Sequence, residues 1–532
     1  MKNKNCLGDS SIKGISISTI TDEYYYMSNP GAISRQADDI TSVPGTKENH
    51  AADLGFSSRE HILTSEDAPP RKTTQVIGVT IVALTHLGIG TIYGFPGITL
   101  PQLTDPNGED LYLSDSNAAL FSSIVNIGAV FGGFLSGSLM MKTGLRVLMM
   151  IALPITLAFW LLLAFSQSVI VLITSRIGLG VMTATLSAPS TAYVLEVSQK
   201  DKRGLLFSII PITRQMGFFF VYMFGITNLT WRYIAIICGI VTTAIPFIGL
   251  FFLPDSPRWL VVKGRIEEAK KSLVFYRGTY YDTASELRDI IDSVQTSGKS
   301  NSTCSQLRQL FRMPFLKTMM ILSFLTILAS FNGSFAVSAY LVPIFQVSAS
   351  NVDAYTSAIL AGAMRVVGTL FHLVFIDRLG RRPVHIYSYL AIAFTHALLG
   401  WYFFVKDEEW VNNALGWLPL ANMMVYTFFV GFGQPVLVMM QGELLATNVR
   451  SVGLAFLITM IFLGGFLVTQ AFYAMGQAMG IYGTFWFYSV MCFMVAAVSH
   501  FAMPETKGLS LEEISNKQNA KSRNTKSEEM IL

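Results

Sequence analysis

Residues 376–383 read IDRLGRRP: one acid, three arginines, a turn glycine and a proline. They stand between the apolar runs AILAGAMRVVGTLFHLVF and VHIYSYLAIAFTHALLGWYFF. A charged knot between two such runs marks a turn at the surface of something far less polar than water. Its meaning depends on whether the rest of the chain repeats the arrangement.

The 532 residues are 52% hydrophobic and 14% charged, with a net charge of +4. A soluble protein carries about 25% charged residues, so lipid is the expected solvent for much of this chain. Apolar runs recur at 75–97, 117–140, 147–166, 169–194, 205–226, 232–253, 319–344, 356–376, 384–405, 417–440, 454–475 and 483–503. Each is long enough to cross about 30 Å of hydrocarbon as a helix. Helices satisfy their own backbone groups, which lipid cannot do. The fold class expected is an all-α polytopic membrane protein with twelve spans.

Cys6, Cys238, Cys304 and Cys492 show no pairing pattern. Residues 1–73 are rich in Ser, Thr and charge and lack an apolar signal region, so a disordered tail is expected, with no cleaved signal. Lys142, Arg146, Lys200, Lys202, Arg203, Arg378, Arg381, Arg382 and Arg450 follow even-numbered spans, against only Arg232 and Lys406 on the other side. The positive-inside rule then puts both termini in the cytoplasm. The sequon Asn228-Leu229-Thr230 falls outside, making Asn228 the expected glycosylation site. The segments RIEEAKKSLVFYRG, TASELRDIIDSV and SQLRQLFRMPFL, after span 6, have helical apolar spacing and suggest short surface helices. The domains expected are a tail (1–73), an N-half (74–254), a cytoplasmic loop (255–318), a C-half (319–504) and a second tail (505–532).

The charged knot has a twin, GSLMMKTGLR, with Gly144 standing 236 positions before Gly380. Glu196 and Glu443, each seven residues before an arginine, stand 247 apart. PDSPRWL after span 6 and PETKG after span 12 start 250 apart. Three landmarks in one order at similar spacing indicate a duplicated bundle of six plus six helices. Such repeats mark alternating-access transporters, with the solute site between the halves near the midplane.

DRLGRRP, PDSPRWL and PETKGLSLEEI resemble the signatures of the sugar porter family of the major facilitator superfamily. The chain is similar there to the arthropod facilitated trehalose transporters and their relatives. SRIGLG and YVLEVSQKDKRG, with Arg176, Tyr193, Glu196 and Arg203 in register, also resemble the family. The likeness covers about residues 74–515. It implies a cytoplasmic gate of ion pairs built from Arg146, Glu196, Arg203, Asp377, Arg381, Arg382, Glu443 and Arg450. Two departures, Met141 for Asp and Leu145 for Arg, predict a weaker latch in the N-half.

The pocket departs further. Where the family reads QQxSGxNxxxYY in span 7, this chain reads ASFNGSFAVSAY, so most sugar-binding positions are lost. Ser330 stands in place of a family glutamine, and Gly333 and Tyr340 are kept with Asn332 nearby. Ser330, Asn332, Tyr340, Gln434 in span 10 and Gln215 in span 5 are the polar candidates left. Two residues are gained. Arg214 lies ten residues past Gly204, about 15 Å along a helix, and Arg365 twelve before Asp377, about 18 Å. Both are midplane positions, and no Asp or Glu lies inside a span to neutralise them. A central arginine costs about 2.5–3.5 kcal/mol on insertion scales, so each must face protein or water. Two roles stand open: lining the solute path, or capping carbonyls freed by a helix break such as the one expected at Pro211.

The function expected is facilitated transport of a sugar, a hexose or trehalose, across the plasma membrane. An anion carrier on the same scaffold and a non-transporting solute sensor are the alternatives. The sequence has no metal-ligand cluster, nucleotide loop or nucleophile motif, so neither an enzyme nor a cofactor is expected. The partners expected are a small solute and the bilayer, and not nucleic acid.

Overall fold

The structure, a computed structural model, describes residues 72–107, 111–199, 202–279, 281–298, 313–348, 350–408, 414–445 and 450–505. Nearly all of both expected tails, most of the third expected loop helix and the Arg450 side chain lie outside the described residues.

Eleven helices are long and apolar enough to cross a membrane: Thr73–Leu103, Asp115–Thr143, Leu145–Ala164, Val169–Val197, Arg203–Ile226, Trp231–Phe251, Thr318–Ala339, Ala354–Leu379, Arg381–Val405, Leu418–Leu444 and Gly453–Phe501. The last has 49 residues and would reach about 74 Å, over twice the hydrocarbon thickness. It breaks at Gly480 (φ 74°, ψ 164°), the turn between spans 11 and 12. Twelve crossings result, as the apolar runs predict. Phe134, Phe252, Phe394 and Phe501 are exposed. Large apolar side chains in such positions have lipid as their solvent.

Span 5 is locally irregular at Ser208, between Arg203–Phe207 and Ile209–Tyr222, but Ser208 keeps helical dihedrals (φ −67°, ψ −16°) and the break expected at Pro211 does not form. Pro211 lies in the first turn of the second segment, where its missing N–H costs least. Span 7 is discontinuous: it breaks after Ser330, and Gly333 takes the left-handed conformation at φ 76°. Asn332 Oδ1 accepts the Ser334 N–H at 2.9 Å, capping the short helix Ser334–Ala339.

The duplication is visible in contacts. Gly132 of span 2 and Gly368 of span 8 occupy repeat-equivalent places. A Cβ on Gly132 would lie 2.2 Å from the Val181 carbonyl oxygen of span 4. One on Gly368 would lie 2.1 Å from the Phe428 oxygen of span 10. The turn glycines also match: Gly144 has φ 93°, ψ 163° and Gly380 φ 91°, ψ 155°. Arg146 Nε donates to the Leu250 oxygen at 2.8 Å, at the end of span 6. Its counterpart Arg382 donates to the His500 oxygen at the end of span 12. Three separate sequence offsets thus reappear as equivalent contacts.

The halves meet on the face opposite the basic turns. Tyr222 of span 5 donates its hydroxyl to the Ser338 oxygen of span 7 at 3.1 Å. Ser123 of span 2 donates to Gln470 of span 11 at 2.6 Å, and Tyr473 donates to Asp115. One buried core runs from the outer part of the N-half into the C-half. A second, around Val79, Met149, Val194 and Leu253, belongs to the N-half alone and lies toward the basic face. The bundle is joined at the outer face and divided into separate cores at the basic one.

Gly368→Ala tests the close approach of spans 8 and 10. Backbone cannot yield 2 Å locally, so the helices must move apart at a cost of about 1–3 kcal/mol. A lower unfolding midpoint of the purified variant is expected in a thermal ramp; a wild-type midpoint would show that the helices are not packed this closely.

Candidate solute site and gate

Span 5 carries Arg214 and span 8 carries Arg365, whose contacts come from spans 5 and 7. Arg365 of span 8 is buried, and its Nη1 donates to Ser338 Oγ of span 7 at 2.6 Å. Its guanidinium carbon lies 4.3 Å from the centre of the Phe218 ring in span 5, so the cation stacks across the two halves. Its Nε has no hydrogen-bond partner. The cavity beside it, between Tyr222, Ser338, Gly362 and Tyr426, measures about 10 Å³, room for one water at most.

Arg214 differs. It is half-buried, and among the described residues it makes neither a hydrogen bond nor an ion pair. Its electrostatic neighbours are Arg365 across the bundle and Tyr93 and His86 in span 1. Neither arginine caps a carbonyl freed by a helix break: Arg365 bonds a serine hydroxyl, and Arg214 bonds nothing. Of the two roles open from sequence, this geometry favours the solute path for Arg214.

The other candidates divide. Gln434 Nε2 donates to Ser334 Oγ at 3.3 Å, and both lie beside the span 7 break. Gln215 is buried with Oε1 unpartnered. Tyr340 stacks on Phe472 with ring centres 4.9 Å apart. Ser330 bonds its own helix, at the Thr326 oxygen. Asn332 serves the break itself, and its carbonyl accepts from His396 and Tyr426 at 2.9 and 3.0 Å. Ser330 and Asn332 are therefore bound into the C-half in this state.

Sequence reasoning missed two groups. Tyr93 of span 1 packs edge-on against Phe335 of span 7 at 5.7 Å, and its hydroxyl is unpartnered. Asn126 of span 2 bonds Ser123 through Nδ2 while its buried Oδ1 has no partner. A Cβ on Gly465 of span 11 would meet both Asn126 Oδ1, at 3.0 Å, and the Phe335 ring, at 3.1 Å. Tyr93, Asn126, Phe335 and Gly465 thus converge from four spans of both halves. A polar side chain inside an apolar span was the available signal.

At the basic face, Arg381 Nη2 lies 3.1 Å from Asp377, and its Nε lies 3.7 Å from Glu443. Glu505 of PETKG accepts the backbone N–H groups of Arg381 and Arg382, each at 3.1 Å. A carboxylate there also complements the N-terminal end of span 9. The repeat-equivalent positions of Asp377 and Arg381 are Met141 and Leu145, so the N-half lacks this chain of charge. Glu196 accepts from Ser256 of PDSPRWL instead, and Arg203 is exposed without an ion pair among the described residues. Arg146 lies 3.9 Å from Asp255, whose carboxyl burial pushes above its ordinary value. The two halves are alike in backbone ties and unlike in charge.

Comparison with known proteins follows the same lines. The model of the family "Sugar (and other) transporter" matches residues 68–517. The facilitated trehalose transporter Tret1 of Bombyx mori is 30% identical over 473 residues, 86% of this chain and 91% of that one. Tret1 of Apis mellifera ligustica is 31% identical, covering 84% and 88%. The chain spans about half of the longer Drosophila mojavensis Tret1, 51% of its length, at 31% identity. Among solved structures, the partially occluded inward open xylose transporter XylE from E. coli superposes with a TM-score of 0.68 at 20% identity, over 82% of this chain and 99% of that one. That likeness shows the fold. A match over most of the chain shows the family, and the chain is a multi-pass membrane protein of the Sugar (and other) transporter family, a transporter and not an enzyme.

Proposed function

We propose that the chain carries a sugar-type solute across the plasma membrane by facilitated diffusion, alternating the face to which one central site opens. The observation that carries this reading is the convergence of Tyr93, Asn126, Phe335 and Gly465 from both halves, under an outer face tied shut by Tyr222, Ser123 and Asp115. Hexoses and trehalose are the neutral candidates, and trehalose is what the relatives' names specify. Proton coupling generally needs a titratable acid or histidine in the path. The described Asp and Glu residues of the spans, Asp115, Glu196, Asp377 and Glu443, sit at helix ends. His86 is bound to Ser190, His372 to the Phe432 carbonyl and His396 to the Asn332 carbonyl, and His385 is fully buried against Tyr389 within the C-half, so facilitated diffusion is the simpler mechanism.

The gate follows from the basic face. In this state Arg381 joins Asp377 and Glu443 within the C-half. Closing that face presents the same charges to the N-half, so the cluster changes partners as the transporter turns over. Arg146, Arg382 and Glu505 fix the turns that carry it. Both termini and the basic turns are cytoplasmic in this reading, and Asn228 is extracellular.

Tracer uptake into proteoliposomes tests the function and the gate together. Saturable uptake of glucose or trehalose is expected from the wild-type protein. Arg381→Ala or Glu443→Gln, at equal incorporation, should lower the rate about tenfold while equilibrium binding changes far less. Tenfold corresponds to about 1.4 kcal/mol, within reach of one partly buried ion pair. Either variant transporting at the wild-type rate removes the gate.

Orientation has its own test. Expressed in a secretory-competent cell, the protein should lose any endoglycosidase-sensitive gel shift on Asn228→Gln. A shift that survives the substitution would place another sequon outside and reverse the topology.

A further inference from the structure

Three guanidinium groups share the middle of the bundle. Arg176 donates to the carbonyls of Phe121 and Ile92 at 3.1 and 2.8 Å and is fully buried, with Nη2 unpartnered. Arg365 is buried with Nε unpartnered, and Arg214 has no partner at all among the described residues. The described carboxylates of the spans lie at helix ends, and none of them pairs with these three arginines. Tyr93 lies within electrostatic reach of both Arg176 and Arg214, and Arg214 within reach of Arg365. Like charges repel strongly where water and salt screen little, as around buried Arg176 and Arg365, whereas half-buried Arg214 stays open to the water of the path and so to a solute anion. A neutral sugar offers hydroxyl oxygens, which solvate a guanidinium but do not neutralise it. A carboxylate does both, through charge-assisted hydrogen bonds about twice as strong as neutral ones.

We infer that the preferred solute is a sugar acid: a hydroxylated monocarboxylate whose carboxylate is bound by Arg214. This rests on the transport reading above. Arg365 and Arg176 are positioning residues, held by Ser338 and by backbone carbonyls, and they supply the positive field around the site. The hydroxyls of the solute meet the Tyr93 hydroxyl and Asn126 Oδ1, which have no protein partner. Arg214 is the ligand because its guanidinium is the one of the three that forms no hydrogen bond. The loss of most sugar-binding polar groups from span 7 has the same direction: Phe335 and Ala339 cannot bond a hydroxyl.

The test uses the full chain in proteoliposomes with labelled D-glucuronate, D-glucose, trehalose and inorganic phosphate. Glucuronate uptake should be saturable and should rise when the vesicle interior is made positive. Arg214→Gln should lower it about tenfold or more, and Arg214→Lys should keep a measurable part, which separates loss of charge from loss of fold. Should the Gln variant fail to fold, competition decides in the wild-type protein: unlabelled glucuronate should displace labelled glucose more strongly than glucose displaces glucuronate. The inference is overturned if glucose or trehalose is carried while glucuronate neither enters nor competes. It is overturned equally if phosphate is carried and glucuronate is not, or if Arg214→Gln transports glucuronate at the wild-type rate. Carriage of no solute in the panel would sink the transport reading itself.

Discussion

A cation inside a bilayer must find protein, water or an anion, and in this molecule that requirement falls on Arg214. Arg365 meets it with Ser338 and the face of Phe218. Arg176 meets it with two backbone carbonyls and the Phe121 ring. Arg214 meets it with nothing in the protein. Its neighbours Arg365, Tyr93 and His86 come from spans 8 and 1, so they depend on how the helices and the two halves are joined. The site is therefore a property of the whole bundle.

The joining is asymmetric. Spans 2 and 11, and spans 5 and 7, hold the outer face through hydroxyl and carbonyl contacts, and the Arg365 guanidinium over Phe218 joins spans 8 and 5 deeper in the bundle. Each half carries its own backbone ties at the basic face: Arg146 to the end of span 6, Arg382 and Glu505 to the end of span 12. These ties lie within a half and can persist while the halves rock. The ion chain through Arg381 exists in one half only, because Met141 and Leu145 stand where its N-half counterparts would be. In the gating scheme proposed above, the electrostatic part then falls on the C-half.

Much of this was legible in the sequence, for physical reasons. Lipid forces long apolar helices, so the twelve spans could be counted directly. Charge collects at turns, so IDRLGRRP and its twin revealed the repeat, and the offsets 236, 247 and 250 reappear as the contact pairs Gly132 and Gly368, Val181 and Phe428, and Leu250 and His500, the acceptors of Arg146 and Arg382. Arg214 and Arg365 stood out because arginine is costly at the midplane. What could not be read was direction. Asn332 looked like a solute ligand, yet its side chain caps a helix break created by Gly333. Tyr93 and Asn126 drew no notice, because a lone polar residue in an apolar run is common and its facing partner lies far away in sequence. Glu196 reads from sequence as a member of the gate; in this structure its carboxylate accepts from Ser256, a partner that the sequence did not suggest.

The central claim is that one site is exposed alternately to two faces. Spin labels at Met141 and Leu379, exposed positions on the two basic-face turns, report the separation of the halves there by pulsed dipolar spectroscopy. Two distance populations are expected in nanodiscs, with the shorter one gaining as solute is added and the outer face opens. A single distance, unchanged by any solute that the protein binds, would contradict alternating access.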